Sequence, residues 1–279
     1  MAIEFTKATA RVGAYVTGLD LRQEPSGEEV ATVHRGLLDH GVLFFRGQDI
    51  TDEQHVRFAL RFGELNTPPM KTKEPTGDLV ADAMHVLNQT SPKGEGGDSW
   101  HADNTFMPDP PHGSILRAVV LPSVGGDTLW ASACAAYEGL SPEVRALADS
   151  LTAVHDITPG VLKAMSKGHP LDLADLQRRF PPREHPVVRT HPETGRRLLY
   201  VHRSSVTRIS GLDEWENEAI LPMLCDQIRR PEYQVRLHWE VGTIAFWDNR
   251  AVQHYAVPDY TERREMHRVT VDFAKGFDD

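Results

Sequence analysis

Ser99-Trp100-His101-Ala102-Asp103-Asn104-Thr105-Phe106 is the stretch on which the reading of this chain turns. An imidazole and a carboxylate two residues apart project to the same side of an extended backbone, because strand side chains alternate with a period of two. The pair makes a two-armed clip for a metal ion. A facial site of two histidines and one carboxylate for Fe(II) needs a third arm, and His254, inside Trp247-Asp248-Asn249-Arg250-Ala251-Val252-Gln253-His254, is the candidate. Such a triad leaves one face of the metal open. Alone, the clip says little, since a chain with 14 histidines and 40 acidic residues contains such pairs by chance, and a lone strand histidine is more often a hydrogen-bonded core residue.

Working outward, the flanks read as alternating strand and turn. Ile115–Leu121 and Thr128–Ala131 are expected strands on either side of the turn-forming Pro122-Ser123-Val124-Gly125-Gly126-Asp127. Upstream, residues 3–20 suggest one or two short strands, and Val42-Phe45, bounded by Gly41 and Gly47, looks like a strand buried on both faces. Two capping boxes, Ser26-Gly27-Glu28-Glu29 and Thr51-Asp52-Glu53-Gln54, open helices that Gly41 and Gly63 should close. Residues 64–99 are rich in Pro, Gly, Lys and Thr around an apolar stretch at 80–87 that reads as a strand, and 158–182 is polar and irregular. Both are candidate lids. Ser141-Pro142-Glu143 starts a helix, residues 186–201 form a hairpin, and 213–229 is helical with a kink or break expected at Pro222. Strands follow at about 233–239, 243–247, 252–256 and 266–273. The whole predicts a mainly β, jelly-roll-like domain spanning 1–279 with helices packed outside.

Composition narrows the partners. With 30 basic and 40 acidic residues the formal charge is -10, which argues against nonspecific nucleic-acid binding and against anionic membranes. Cys134 and Cys225 are the only cysteines, so no disulfide framework is expected and a reducing cytoplasm suits the chain. No basic leader precedes an apolar run at the N-terminus, and no stretch reaches the roughly 18 apolar residues of a membrane span. The expectation is a soluble cytoplasmic protein acting on a small molecule, with homo-oligomerisation left open.

The motifs together resemble the TauD/TfdA family of Fe(II)- and 2-oxoglutarate-dependent dioxygenases. They run in order: Phe62-Gly63-Glu64-Leu65, His101-Ala-Asp103, Gly125-Gly-Asp-Thr128-Leu-Trp130, His185-Pro-Val-Val-Arg189, His191-Pro-Glu-Thr-Gly195, Phe246-Trp-Asp-Asn-Arg250 leading to His254, and Arg263-Arg264-Glu-Met-His-Arg268. The resemblance implies a double-stranded β-helix, iron on His101, Asp103 and His254, and 2-oxoglutarate held at its C5 carboxylate by Arg264 and Thr128. Arginine suits that task because its planar fork meets a carboxylate with two parallel hydrogen bonds. Trp247 would line the cofactor pocket, whereas Phe246 reads better as core. Arg268 falls where sulfonate-cleaving relatives hold the substrate anion, with a structural ion pair as the competing role; Asn104 is the second expected substrate contact.

The implied reaction consumes 2-oxoglutarate and O₂, releases succinate and CO₂, and hydroxylates an aliphatic carbon of a substrate that carries a sulfonate, alkyl sulfate or carboxylate. Retention of Asp103 speaks against halogenation. A zinc hydrolase could use the same three ligands to activate water, and a non-catalytic binding module is the further alternative. Asn66-Thr67-Pro68-Pro69 stands where taurine-cleaving relatives place a sulfonate-binding histidine, and Ile157 and Ser205 align with two pocket aromatics. Taurine is therefore expected to be a poor substrate.

Overall fold

The computed structural model describes residues 2–66, 76–90 and 97–274. Strands β1 (Glu4–Lys7) and β2 (Ala14–Thr17) pair antiparallel and lead into α1 (Gly27–His40). Ser26 and Glu29 form the expected capping box, and Gly41, at φ 73°, ends the helix in a conformation that strains a residue with a side chain. Every residue of β3 (Val42–Phe45) is buried. The Thr51–Gln54 capping box opens α2 (Asp52–Leu60).

Gly63 does not close α2. The helix stops at Leu60 and Gly63 begins β4 (Gly63–Asn66), where a Cβ would stand 2.0 Å from the Asp272 carbonyl oxygen of a neighbouring strand. Close approach of two backbones, rather than a helix end, is what requires glycine there. The apolar stretch at 80–87 also differs from expectation: α3 (Leu79–Ala83) precedes β5 (His85–Gln89). Asp78 accepts the N–H groups of Val80 and Ala81, and this cap turns the first half of the stretch into a helix. Residues 67–75 and 91–96 of the first candidate lid lie outside the described residues.

After β6 (Gly113–Val120) and β7 (Thr128–Ser132) come α4 (Ala133–Glu138), α5 (Pro142–Ser150) and β8 (Thr152–His155). The second candidate lid is not irregular, because it folds into α6 (Thr158–Met165) and α7 (Leu173–Arg179). Each helix spans about two turns, too short to show a period in sequence, and the pair is held by Val161 and Leu176 packing on Phe106 and Ile157. Next stand β9 (Arg183–Pro186), the hairpin β10 (Val188–Thr190) with β11 (Arg197–Leu199), and β12 (Val206–Ile209). The helix α8 (Glu214–Asp226) then runs through Pro222 without breaking. Proline removes a single backbone donor, and the Asp213–Glu216 capping box with buried Leu224 and Cys225 outweighs that loss. The chain ends with β13 (Gln234–Leu237), β14 (Ile244–Asp248), β15 (Val252–Ala256) and β16 (Arg264–Phe273).

The main sheet has the order β1-β2-β3-β14-β6-β16-β4, with β5 also paired to β16. Alternation sorts its residues. Leu43, Phe45, Ile244, Phe246, Val269 and Val271 fill the core shared with α1 and α2, while Val42, Phe44, Ala245, Trp247 and Met266 meet Trp130, Val235 and Leu237 of the smaller β13-β7-β15 sheet. Two facing open sheets with helices outside are the jelly-roll architecture expected from strand spacing, and Phe246 is core as anticipated.

Candidate metal centre

His101 and His254 sit on separate segments that exchange both backbone hydrogen bonds, His101 N–H to His254 O at 3.1 Å and His254 N–H to His101 O at 2.8 Å. This antiparallel bridge sets the two rings 4.0 Å apart between centroids. The chain is extended only at the bridge and then turns: Asn104 adopts φ 53°, a left-handed conformation that asparagine tolerates, and its carbonyl accepts the Met107 N–H. Asp103 still faces the histidines. Nε2 of each ring lies 3.9 Å from Asp103 Oδ1, too far for a hydrogen bond, and ligand atoms of all three residues lie within 4.8 Å of one another.

The donor set fits a divalent transition metal such as Fe(II). His101 Nδ1–H donates to the Ser99 carbonyl at 2.7 Å, which leaves the Nε2 lone pair facing Asp103. Burial holds both imidazoles below their usual range, and so in the neutral form that ligates. Burial by itself would raise Asp103, yet the Arg268 guanidinium and the Ser114 hydroxyl hold it well below the usual carboxylate range. The centre is thus two neutral nitrogens and one anionic oxygen.

Side chains outside the triad fix that carboxylate. Asn249 Oδ1 accepts the Asp103 N–H at 2.7 Å, and its Nδ2 donates to the Asp103 and Pro111 carbonyls at 3.0 and 2.9 Å. Ser114 Oγ donates to Asp103 Oδ2 at 3.1 Å. One residue back, fully buried Asp248 accepts from His191 at 2.9 Å and from Arg250 Nε and Nη2 at 2.9 and 2.8 Å. Arg250 continues to Glu193, whose carboxylate also meets His34 of α1. Sequence reasoning quoted Asn249 and Asp248 only as context for His254; two polar residues closing a buried strand were the available signal.

Arg264 reaches the segment that carries Thr128. Arg264 Nε donates to the Gly126 carbonyl at 3.1 Å, and its buried Nη2 has no hydrogen-bond partner among the described residues. Thr128 follows Gly126 by two positions and accepts the Trp239 indole N–H at 3.0 Å, so its own hydroxyl proton stays available. An orphaned, buried guanidinium N–H is a site that a carboxylate would satisfy. Trp247, 1% exposed, packs against His254 with centroids 4.8 Å apart.

Arg264 and Arg268 share one face of β16 with Met266. Arg268 Nη1 reaches Asp103 Oδ1 at 3.1 Å and its Nη2 lies 3.3 Å from His85 Nδ1. The ion pair weighed as its alternative role is therefore formed in this structure. The Ser205 carbonyl accepts the N–H of Asp156, the neighbour of Ile157, at 2.8 Å, and Ile157 and Ser205 are both buried.

The pattern of the taurine catabolism dioxygenase TauD, TfdA family matches residues 4–270. An alkylsulfatase of Acinetobacter baylyi is 35% identical over 275 residues, covering 96% of this chain and 84% of its own. An alpha-ketoglutarate-dependent sulfate ester dioxygenase of Pseudomonas putida is 36% identical over 284 residues, covering 97% and 90%. The crystal structure of a taurine dioxygenase from Burkholderia xenovorans superposes with a TM-score of 0.80 at 36% identity, over 98% of this chain and 91% of that one. None of these supports a zinc hydrolase or a non-catalytic module. On a family match spanning nearly its whole length, the chain belongs to the TauD/TfdA family and is an iron- and 2-oxoglutarate-dependent dioxygenase.

Proposed function

We propose that the enzyme hydroxylates an aliphatic carbon of a small anionic molecule, with an alkyl sulfate ester as the foremost candidate. His101, Asp103 and His254 hold Fe(II), Arg264 and Thr128 hold 2-oxoglutarate with Trp247 behind them, and Arg268 with Asn104 meets the substrate. The carrying observation is the convergence of the three ligand atoms within 4.8 Å beside a strand that sends Arg264 and Arg268 to one face. Bound iron with 2-oxoglutarate and O₂ supplies the oxidising power that functionalises carbon. The chain's own residues position the reactants, and electrostatics lets Arg268 change roles. Beside neutral histidines it offsets the Asp103 charge; once a divalent ion takes over that duty, the guanidinium is available to a substrate anion.

The substrate class draws on the two sulfate-ester relatives. Hydroxylation at the carbon bearing the sulfate oxygen leaves a hemiacetal ester that collapses to an aldehyde and inorganic sulfate. Taurine is a poor substrate in this reading, because Ile157 and Ser205, both buried, stand where two pocket aromatics are expected in taurine-cleaving relatives; Thr67 to Pro69 lie outside the described residues. The chain works as one domain, in keeping with a family match from residue 4 to 270, and in the cytoplasm, whose reducing conditions suit its free Cys134 and Cys225. The test is succinate release with Fe(II), 2-oxoglutarate and each of hexyl sulfate, hexanesulfonate and taurine. Sulfate release coupled to succinate with hexyl sulfate is expected; no stimulation by any anion, or efficient sulfite release from taurine, overturns the reading. Arg268→Leu should impair hexyl sulfate turnover and leave 2-oxoglutarate binding unchanged, and equal turnover would leave Arg268 only its ion pair.

A further inference from the structure

Three histidines surround Thr105, a completely buried residue two positions after Asp103. Its Oγ1 lies 2.9 Å from His202 Nε2 and 2.8 Å from His155 Nδ1, and its carbonyl accepts from His185 Nε2 at 3.0 Å. His155 is stacked on Tyr200, with centroids 5.2 Å apart. His202 is also tied to the other ligand-bearing segment, because Gln253, the neighbour of His254, donates Nε2–H to the Val201 carbonyl at 2.8 Å. Both segments of the metal centre therefore fix where His202 stands.

A hydroxyl has one proton to give and can accept in return. Burial lowers His155 to about 3 and His202 well below its ordinary range, so both rings are neutral and each carries one N–H. Two neutral imidazoles sharing one hydroxyl lock their tautomers together. Either His155 Nδ1–H donates to Thr105, whose O–H donates to His202 Nε2 and leaves the proton on His202 Nδ1, or the chain runs backwards and His202 Nδ1 is bare. In both orders His202 Nδ1, in a residue 1% exposed, has no hydrogen-bond partner among the described residues. A buried orphan of that kind is costly and calls for an explanation.

We propose that His202 is a specificity-determining residue whose Nδ1 hydrogen-bonds an uncharged ester or ether oxygen of the primary substrate, an inference that rests on the dioxygenase pocket assigned above. Such an oxygen only accepts, so it selects the order in which His202 carries the proton on Nδ1. Thr105 and His155 supply that order without any change of net charge.

Two substitutions separate this role from a bracing one, because a glutamine amide reaches the place of Nε2 and an asparagine amide that of Nδ1. H202Q keeps a partner for Thr105 and loses the substrate contact, so its KM for hexyl sulfate should rise by about tenfold, with 2-oxoglutarate affinity unchanged. H202N should recover part of that loss. If His202 only braces Thr105, H202N is the damaged variant and H202Q behaves as wild type, which overturns the proposal. A measurement independent of turnover is long-range ¹H–¹⁵N spectroscopy of the Zn(II)- and 2-oxoglutarate-loaded protein titrated with hexyl sulfate. The expected result is a proton on His202 Nδ1 in the complex and a shift of that resonance; an unprotonated or unmoved Nδ1 overturns it. Wild-type protein that releases no succinate with any anion defeats the substrate reading, whereas brisk turnover with an unchanged KM in H202Q defeats this inference alone.

Discussion

Replacing Asn249 with alanine should damage the metal centre without touching a ligand. The amide makes three hydrogen bonds, to the Asp103 N–H, the Asp103 carbonyl and the Pro111 carbonyl, in a residue 3% exposed. Each buried backbone group left without a partner costs about 1–3 kcal/mol, and a water entering the vacated space recovers part of that, so the net loss should be about 3 kcal/mol. Freed of this clamp, the Asp103 backbone wanders and its carboxylate no longer faces both Nε2 atoms. Loss of such support costs about 10–100-fold in metal affinity. Urea unfolding of the metal-free protein and calorimetric titration with Co(II) measure the two effects separately. Stability within about 0.5 kcal/mol of wild type together with unchanged Co(II) affinity would refute the clamp, since that is how a substitution away from any such contact behaves. Asn249→Asp is the sharper variant: it keeps the acceptor for Asp103 N–H but turns a donor into an anion facing two carbonyl oxygens. It should be no better than alanine.

Other consequences are equally direct. Asp103→Ala should abolish succinate release coupled to substrate, because two imidazoles alone do not hold the facial geometry, and full activity would sink the ligand assignment. Arg264→Ala should leave Co(II) binding intact and weaken 2-oxoglutarate by about 2–5 kcal/mol, read by calorimetry; an unchanged affinity would reject the role. Glu193 is held at about 2, first by its hydrogen bond to His34 and then, against its own burial, by Arg250. A depressed carboxyl stabilises the fold above its ordinary 4.5, and that contribution is lost as pH falls from 4.5 towards 2. Because about a third of the side chain is exposed, the discounted worth is about 1–2 kcal/mol. Urea midpoints of wild type and Glu193→Gln should therefore differ at pH 7, draw together below pH 4.5 and converge near pH 2; a gap independent of pH would exclude the linkage.

Local chemistry was legible in the sequence wherever it is complete within a few residues. The Ser26 and Thr51 capping boxes and the doubly buried Val42–Phe45 follow from neighbours in the chain. Ordered motifs brought His101, Asp103 and His254 together, and the structure agrees, although the clip is a bridge followed by a turn rather than a strand. What stayed hidden depends on distant partners. Gly63 looked like a helix stop because the Asp272 backbone that crowds it lies at the other end of the chain. Asn249 reaches Asp103 across 146 positions, and His202 reaches Thr105 across 97, so neither spacing carries a local signal. In α6 and α7 two turns each were too brief for periodicity to emerge.

The reciprocal backbone bridge between His101 and His254 also bears on how the enzyme is made. More than half of the chain separates the two residues, so closing that loop is entropically expensive and must await the strands that hold it. A nascent chain that has emerged only as far as Asp103 possesses a histidine and a carboxylate with nothing to fix them, and holds a redox-active ion weakly. Competence to take up iron then arises late in folding, at the moment the scaffold that confines its chemistry is already in place. Time-resolved uptake of Co(II) during refolding should lag behind recovery of helical signal for that reason.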